Sequence, residues 1–235
     1  MWQRFTMMQP ELLPTMGLAE LYLAMSPIRT ANQCTLACGT MIKVLQGWGL
    51  DAEAVAAYID APDGRGGVVR YGREDEPRLE DGLVSGHVVL VADDVFVDAT
   101  ASQFPAIVSH GGVRVLGMHI GNGGRTQMLQ RGAIIPTRLA HGAGDYMVQY
   151  TVRPSTSADR VMTEYFEQKG AAQDLAALSN NLSLVFAKTL AELGLPRELS
   201  SPRYAALVAQ VEAMRDMDLI ADENKVMHAV PRHTE

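Results

Sequence analysis

Residues 86–103 read Gly86-His87-Val88-Val89-Leu90-Val91-Ala92-Asp93-Asp94-Val95-Phe96-Val97-Asp98-Ala99-Thr100-Ala101-Ser102-Gln103. Two apolar, β-branched runs flank a polar dipeptide, the pattern of a β-hairpin. With Asp93-Asp94 as the turn, Ala92 pairs with Val95, Val89 lies opposite Asp98, and His87 lies opposite Thr100. Side chains alternate between faces along a strand. His87, Val89, Val91, Phe96, Asp98 and Thr100 therefore share one face. Val88, Leu90, Ala92, Val95, Val97 and Ala99 form the other, which is wholly apolar and reads as core. His87 and Asp98 are diagonal neighbours, within reach of a side-chain hydrogen bond. A slip of one residue would separate them.

Upstream, Ala37, Met41, Val44, Leu45 and Trp48 recur at helical spacing, with Gly47 and Gly49 as a stop. Thr30 or Asn32 offers an N-cap. Cys34 falls in the first turn of this helix. There the free N–H groups and the helix dipole favour an anion and lower a thiol's pKa. A histidine within hydrogen-bond reach makes the sulfur a stronger nucleophile, and a carboxylate on the far ring nitrogen fixes the imidazole tautomer. Cys34, His87 and Asp98 are thus the candidate catalytic set. The N–H of Cys34 and the side chain of Asn32 or Gln33 are candidate oxyanion donors. Cys38, one turn deeper on the same face, reads as core.

The rest of the chain divides at a change of composition, Arg153-Pro154-Ser155-Thr156-Ser157. Before it, residues 19–25 read as a short helix ended by Pro27. Asp51 caps a second helix at 52–59. A Gly-rich turn follows at 63–67, then a strand at 68–71 and a charged, solvated loop at 73–81. Asp93-Asp94 reads as a solvated turn. Residues 113–119 read as a strand, 121–124 as a turn, and 134–139 and 146–152 as strands about a turn at 141–145. After the boundary two helical patterns appear. One runs from Leu175 to Leu193 and ends at Gly194-Leu195-Pro196. The other starts at Ser200-Ser201-Pro202 and carries Tyr204, Leu207, Val208, Val211, Met214 and Leu219. The tail from Asp222 onward is polar and reads as frayed. This gives a domain at 1–153 and a helical region at 154–235. The helices can pack on the first domain as part of one core, form a homodimer interface, or recognise a macromolecular substrate.

Bulk properties narrow the function classes. At 47% hydrophobic and 20% charged residues over 235 positions, the chain suits a globular protein with a substantial core. A net charge of −7 argues against a broad nucleic-acid footprint. No window has the length and apolarity of a membrane span, and the N-terminus lacks a signal-type apolar core. The expectation is a cytoplasmic protein, or one delivered by a route that needs no classical signal. Its two cysteines, Cys34 and Cys38, suit a disulfide poorly at helical i, i+4 spacing.

At these residues the chain resembles the papain-like cysteine superfamily, and within it the transglutaminase-like branch. That group places a cysteine at the start of a buried helix, then a histidine and an aspartate on neighbouring strands, in this chain order. The helix from Cys34 to Leu50 is similar in length and pattern. Gly86-His87-Val88 through Asp98-Ala99-Thr100-Ala101-Ser102-Gln103-Phe104 resembles the strand pair and Asp-x-Thr-x-x-Gln-Phe signature of some bacterial members. The motifs span residues 30–105. The resemblance implies an α+β fold: a papain/transglutaminase-like core with an N-terminal helix packed on an antiparallel sheet, followed by a C-terminal helical extension. It implies acyl chemistry at an amide or peptide bond through a thioester, with Cys34 as nucleophile, His87 as base and Asp98 as orienter. The implied partner is a peptide, protein or other amide-containing substrate. No cofactor or metal is required, and neither nucleic acid nor membrane is expected as a partner. Some family features are missing. No aromatic follows Cys34 or His87, and no glutamine lies six residues before Cys34. They motivate a second reading, a non-catalytic binding module on the same fold. A third is a metal-binding regulator using Cys34, Cys38 and His87 or Asp98.

Overall fold

A computed structural model describes residues 8–26, 33–73, 77–81, 83–111, 115–120, 133–141, 144–153, 156–167, 171–194, 199 and 201–232. The chain is mixed α+β. A 3-10 turn (Pro10–Leu12) and a π turn (Leu13–Gly17) lead into α1 (Leu18–Met25), and α2 spans Gln33–Gly47. Strands follow: β1 (Ala52–Pro62), β2 (Val68–Tyr71), β3 (Arg78–Glu80), β4 (Leu83–Ser85), β5 (His87–Ala92) and β6 (Val95–Asp98). Next come α3 (Pro105–Gly111), β7 (Leu116–His119), β8 (Ala133–His141) and β9 (Gly144–Arg153). The C-terminal part holds α4 (Thr156–Glu167), α5 (Ala171–Leu193), α6 (Ala205–Ala213), β10 (Met217–Ala221) and β11 (Met227–Pro231).

The main sheet is antiparallel, in the order β7-β6-β5-β1-β9-β8, with β2 also paired to β1. Its central hairpin has the expected register: Ala92 faces Val95, Val91 faces Phe96 and Leu90 faces Val97. Asp93 takes the left-handed conformation at φ 49°, which aspartate tolerates better than most residues and which a tight hairpin turn requires. The turn is not simply solvated. Arg203 donates to the Asp93 carboxylate at 2.6 Å and to Asp94 at 3.3 Å, tying the C-terminal part to the hairpin tip.

Three local expectations are corrected. Residues 52–59 form strand β1 and not a helix. Their alanines favour helix intrinsically, but the stretch carries two apolar faces of period two. Ala52, Ala54 and Ala56 pack with α2, while Val55, Ala57, Ile59 and Ala61 pack on the opposite side of the sheet. Pairing with β5 and β9 on both edges overrides propensity. The charged loop at 73–81 contains β3, paired with β4. The tail is not frayed, since β10 and β11 form a hairpin that takes in Leu219 and residues 227–231. Two asparagines of α5 anchor it, Asn180 donating to the Met227 carbonyl at 2.9 Å and Asn181 accepting the Met227 N–H at 2.7 Å. The expected caps at Thr30 and Asn32 and the turn at 121–124 lie outside the described residues.

Two buried clusters lie on the two faces of the sheet. One joins Cys34, Cys38, Met41 and Leu45 of α2 to Val88, Leu90 and Val97, and extends to Leu182, Phe186 and Leu190 of α5 and Leu207 and Val211 of α6. The other holds Val89, Val91, Phe96, Tyr150 and, from the segment after β6, Phe104 and Ile107. The sheet must curl round this second cluster. Strands β6 and β9 are separated by β5 and β1, so a flat sheet would put them about 14 Å apart. Yet the Phe96 and Tyr150 rings meet at 5.0 Å between centroids.

The C-terminal helices share the first cluster with the N-terminal helix. Trp48 stacks against Phe186 at 5.3 Å and donates its Nε1–H to Gln210 at 2.6 Å. Phe186→Ala is therefore expected to lower stability by about 3–5 kcal/mol and to loosen the whole chain in one urea transition. Matching midpoints from tryptophan fluorescence and far-ultraviolet circular dichroism would check this.

Candidate functional site

His87 is the first residue of β5, and two glycines shape its backbone surroundings. Gly86, at φ +135°, turns the chain into the strand, in a conformation that L side chains rarely adopt. Gly72, at φ +82°, lets its backbone approach closely: a Cβ there would lie 2.9 Å from the Ala57 carbonyl oxygen and 3.2 Å from His87 Cβ. The imidazole packs edge-on against Phe104, with ring centroids 5.0 Å apart. Its Nε2 lies 2.9 Å from Asp98 Oδ2, so the expected diagonal contact is made.

The Asp98 carboxylate is 1% exposed, and four donors converge on it. Oδ1 accepts the Thr100 backbone N–H at 2.9 Å and the Thr100 hydroxyl at 3.2 Å. Oδ2 accepts from the Tyr150 hydroxyl at 2.9 Å and from His87. Burial alone would raise this carboxyl, but the adjacent imidazole and these hydrogen bonds hold it below the ordinary aspartate range. Burial likewise disfavours a charged imidazole, yet the Asp98 carboxylate outweighs it and raises His87 to about 10.

Cys34 lies in the first turn of α2, at the tip that reaches the start of β5. Its body belongs to the α2 cluster, whereas Phe104 and the other residues behind His87 lie on the opposite face of the sheet. The two side chains still interact electrostatically, His87 being the first residue of β5. Burial pushes the Cys34 thiol up, but the His87 imidazole and the Val88 backbone N–H bring it below the ordinary thiol value. With Nε2 on Asp98, Nδ1 is the ring nitrogen left for the sulfur. Nδ1 is buried and makes no hydrogen bond of standard geometry, so thiol and imidazole are adjacent, not tightly bonded. Cys38 differs. Burial and the neighbouring Cys34 push its thiol well up, and it points to the Val88 carbonyl at 3.7 Å.

Of the candidate oxyanion donors, Gln33 is the half-buried first residue of α2, and Asn32 lies outside the described residues. Among the described residues no group of three or more His, Cys, Asp or Glu is arranged to hold a metal ion, and no helix is long and apolar enough to cross a membrane. Sequence reasoning missed the part played by Tyr150. On β9 it is an ordinary alternating aromatic, and only the curl of the sheet brings it to β6.

None of the protein families, curated proteins or solved structures compared with this chain matches it. The chemistry of the site therefore rests on its own geometry. That geometry is a buried sulfur whose thiol the neighbouring imidazole lowers, and a buried carboxylate hydrogen-bonded to that imidazole. Such a set can support nucleophilic attack followed by proton delivery.

Tyr150→Phe removes a charge-assisted hydrogen bond from a buried carboxylate, for an expected loss of about 1.5–3 kcal/mol at neutral pH. Because the Asp98 carboxyl is depressed in the fold, its stabilising contribution is complete above the unfolded aspartate value near 3.9. It is lost as pH falls through the lower folded value. The gap between wild type and variant should narrow over that acidic window in urea titrations run at several pH values.

Proposed function

We propose that this chain is a thiol-dependent enzyme acting at an amide or other acyl bond, with Cys34 as nucleophile, His87 as acid and base, and Asp98 as the orienting carboxylate. The observation that carries this reading is the His87 imidazole held through Nε2 by Asp98 while it lowers the Cys34 thiol. The α+β architecture, with α2 packed on an antiparallel sheet, suits a papain/transglutaminase-like core. The substrate class is a peptide, protein or small amide.

In the reaction, the Cys34 sulfur attacks the carbonyl carbon and the carbonyl π pair moves to oxygen. The tetrahedral adduct collapses with cleavage of the C–N bond, and His87 gives its proton to the departing amine. Water then adds to the thioester carbonyl with His87 taking its proton, and collapse breaks the C–S bond, releasing the carboxylic acid and regenerating the Cys34–His87 pair; in a transfer reaction an amine takes the place of water. A buried, desolvated site strengthens each of these charge interactions.

One observation favours the second reading, a binding module that does no chemistry: Cys34 is only 2% exposed. The two readings differ in reactivity. In the enzymatic reading, iodoacetamide alkylates Cys34 well ahead of Cys38. The lowered thiol and the imidazole raised to about 10 define an ion pair that persists between those two values. Labelling of Cys34 should therefore continue at pH values where an ordinary thiol, near 8.5, has stopped reacting. His87→Ala should return the midpoint to the ordinary range and slow acylation by p-nitrophenyl acetate by about 10²–10⁴-fold. Peptide-resolved mass spectrometry reads both rates. Equally slow labelling of the two cysteines would leave the binding-module reading in its place.

A further inference from the structure

We propose that the Tyr22 hydroxyl is a catalytic oxyanion donor, hydrogen-bonding the carbonyl oxygen as Cys34 attacks; this rests on the reading of Cys34 as nucleophile. Tyr22 lies on α1, ahead of every residue of the expected site, and is 3% exposed. Its side chain belongs to the same buried cluster as Cys34 and Cys38. Its hydroxyl is buried and makes no hydrogen bond of standard geometry, although Ser26 lies within interaction range. Buried polar groups are almost always paired, and the exceptions concentrate where a partner arrives only during function. Among the described residues, the buried side-chain polar atoms left in this state are the Tyr22 hydroxyl, the Thr40 hydroxyl and His87 Nδ1. Two of these three belong to residues that interact with Cys34.

The state of the phenol suits the task. Burial, the two thiols and Tyr165 push its ionisation far above the ordinary tyrosine value, so it stays a neutral donor at every working pH. A neutral hydroxyl without an acceptor gains most when a full negative charge appears on a nearby oxygen. That charge exists in the tetrahedral adduct and not in the bound substrate, which is the condition for speeding a reaction instead of merely tightening binding. The N–H of Cys34, in the helical turn whose amides lack intrahelical acceptors, would supply the second donor. The S–C bond forms, the π pair goes to oxygen, and Tyr22 keeps its proton while donating a hydrogen bond. On collapse the pair returns and the leaving group departs.

Two probes on the full chain separate this role from others. Acylation by p-nitrophenyl acetate passes through a tetrahedral oxyanion, whereas alkylation by iodoacetamide is a direct displacement that does not. For Tyr22→Phe, acylation of Cys34 should fall about 10²-fold. Its alkylation rate and the pH midpoint of alkylation should stay within about twofold. The urea midpoint should hold or rise, because the removed hydroxyl makes no hydrogen bond of standard geometry. Equal losses with both probes, or a shifted alkylation midpoint, would show that Tyr22 holds the thiolate and would overturn the proposal. So would acylation at the wild-type rate, or a variant that fails to fold. If the wild type alkylates at Cys34 but is never acylated there, the nucleophile reading fails first and takes this inference with it.

Discussion

A single carboxylate organises this molecule. Asp98 is buried between two apolar clusters, where an unpaired charge would cost several kcal/mol. Four donors from three separate places offset that cost: His87 from the neighbouring strand, Tyr150 from across the curl, and the amide and hydroxyl of Thr100 just beyond β6. Each donor constrains a different part of the fold. Thr100 fixes the path leaving β6. Tyr150 requires that the sheet curl. His87 is pinned at the mouth of β5, with its remaining nitrogen directed to the tip of α2. Removing any one donor leaves the charge less satisfied, so the local geometry and the sheet's curvature are energetically linked.

The electrostatics pass outward from that charge in sequence. The carboxylate raises the imidazole, and the imidazole lowers the Cys34 thiol. Cys38 shows what happens without the middle step. It sits one helical turn away, equally buried, and its thiol is driven up. Two cysteines on one helix face thus have opposite character because only one of them meets the histidine. The difference comes from placement at a helix tip and strand end, not from any property of the cysteines themselves.

The helical C-terminal part takes a share in this arrangement by packing. Phe186 on Trp48, Gln210 on the Trp48 indole and Arg203 on the hairpin turn hold α5 and α6 against the α2 side of the sheet. They steady the helix whose first turn carries Cys34. Glycines act on the opposite side. Gly72 admits backbone where a side chain would press on the Ala57 carbonyl and His87, and Gly86 does so where a side chain would meet Pro77.

The hairpin register and the His87–Asp98 contact were legible in residues 87–100, because alternation of side chains is a local rule and the turn leaves little choice of pairing. The Cys34 helix was legible for the same reason, from apolar residues at helical spacing. Residues 52–59 misled, since alanine's helical propensity and Asp51 as a cap outweigh a period-two pattern in which both faces are apolar. Only the neighbouring strands could decide between the two. The tail misled likewise, because its order comes from Asn180 and Asn181, more than 30 residues upstream. The sequence by itself determined which residues share a face within each element, a matter of backbone periodicity. The tertiary structure decided what lies opposite each face. Tyr150 meets Asp98, Tyr22 joins the thiols and Cys34 is sealed from solvent because the sheet curls and helices close over it, and curvature and packing are properties of the assembled core.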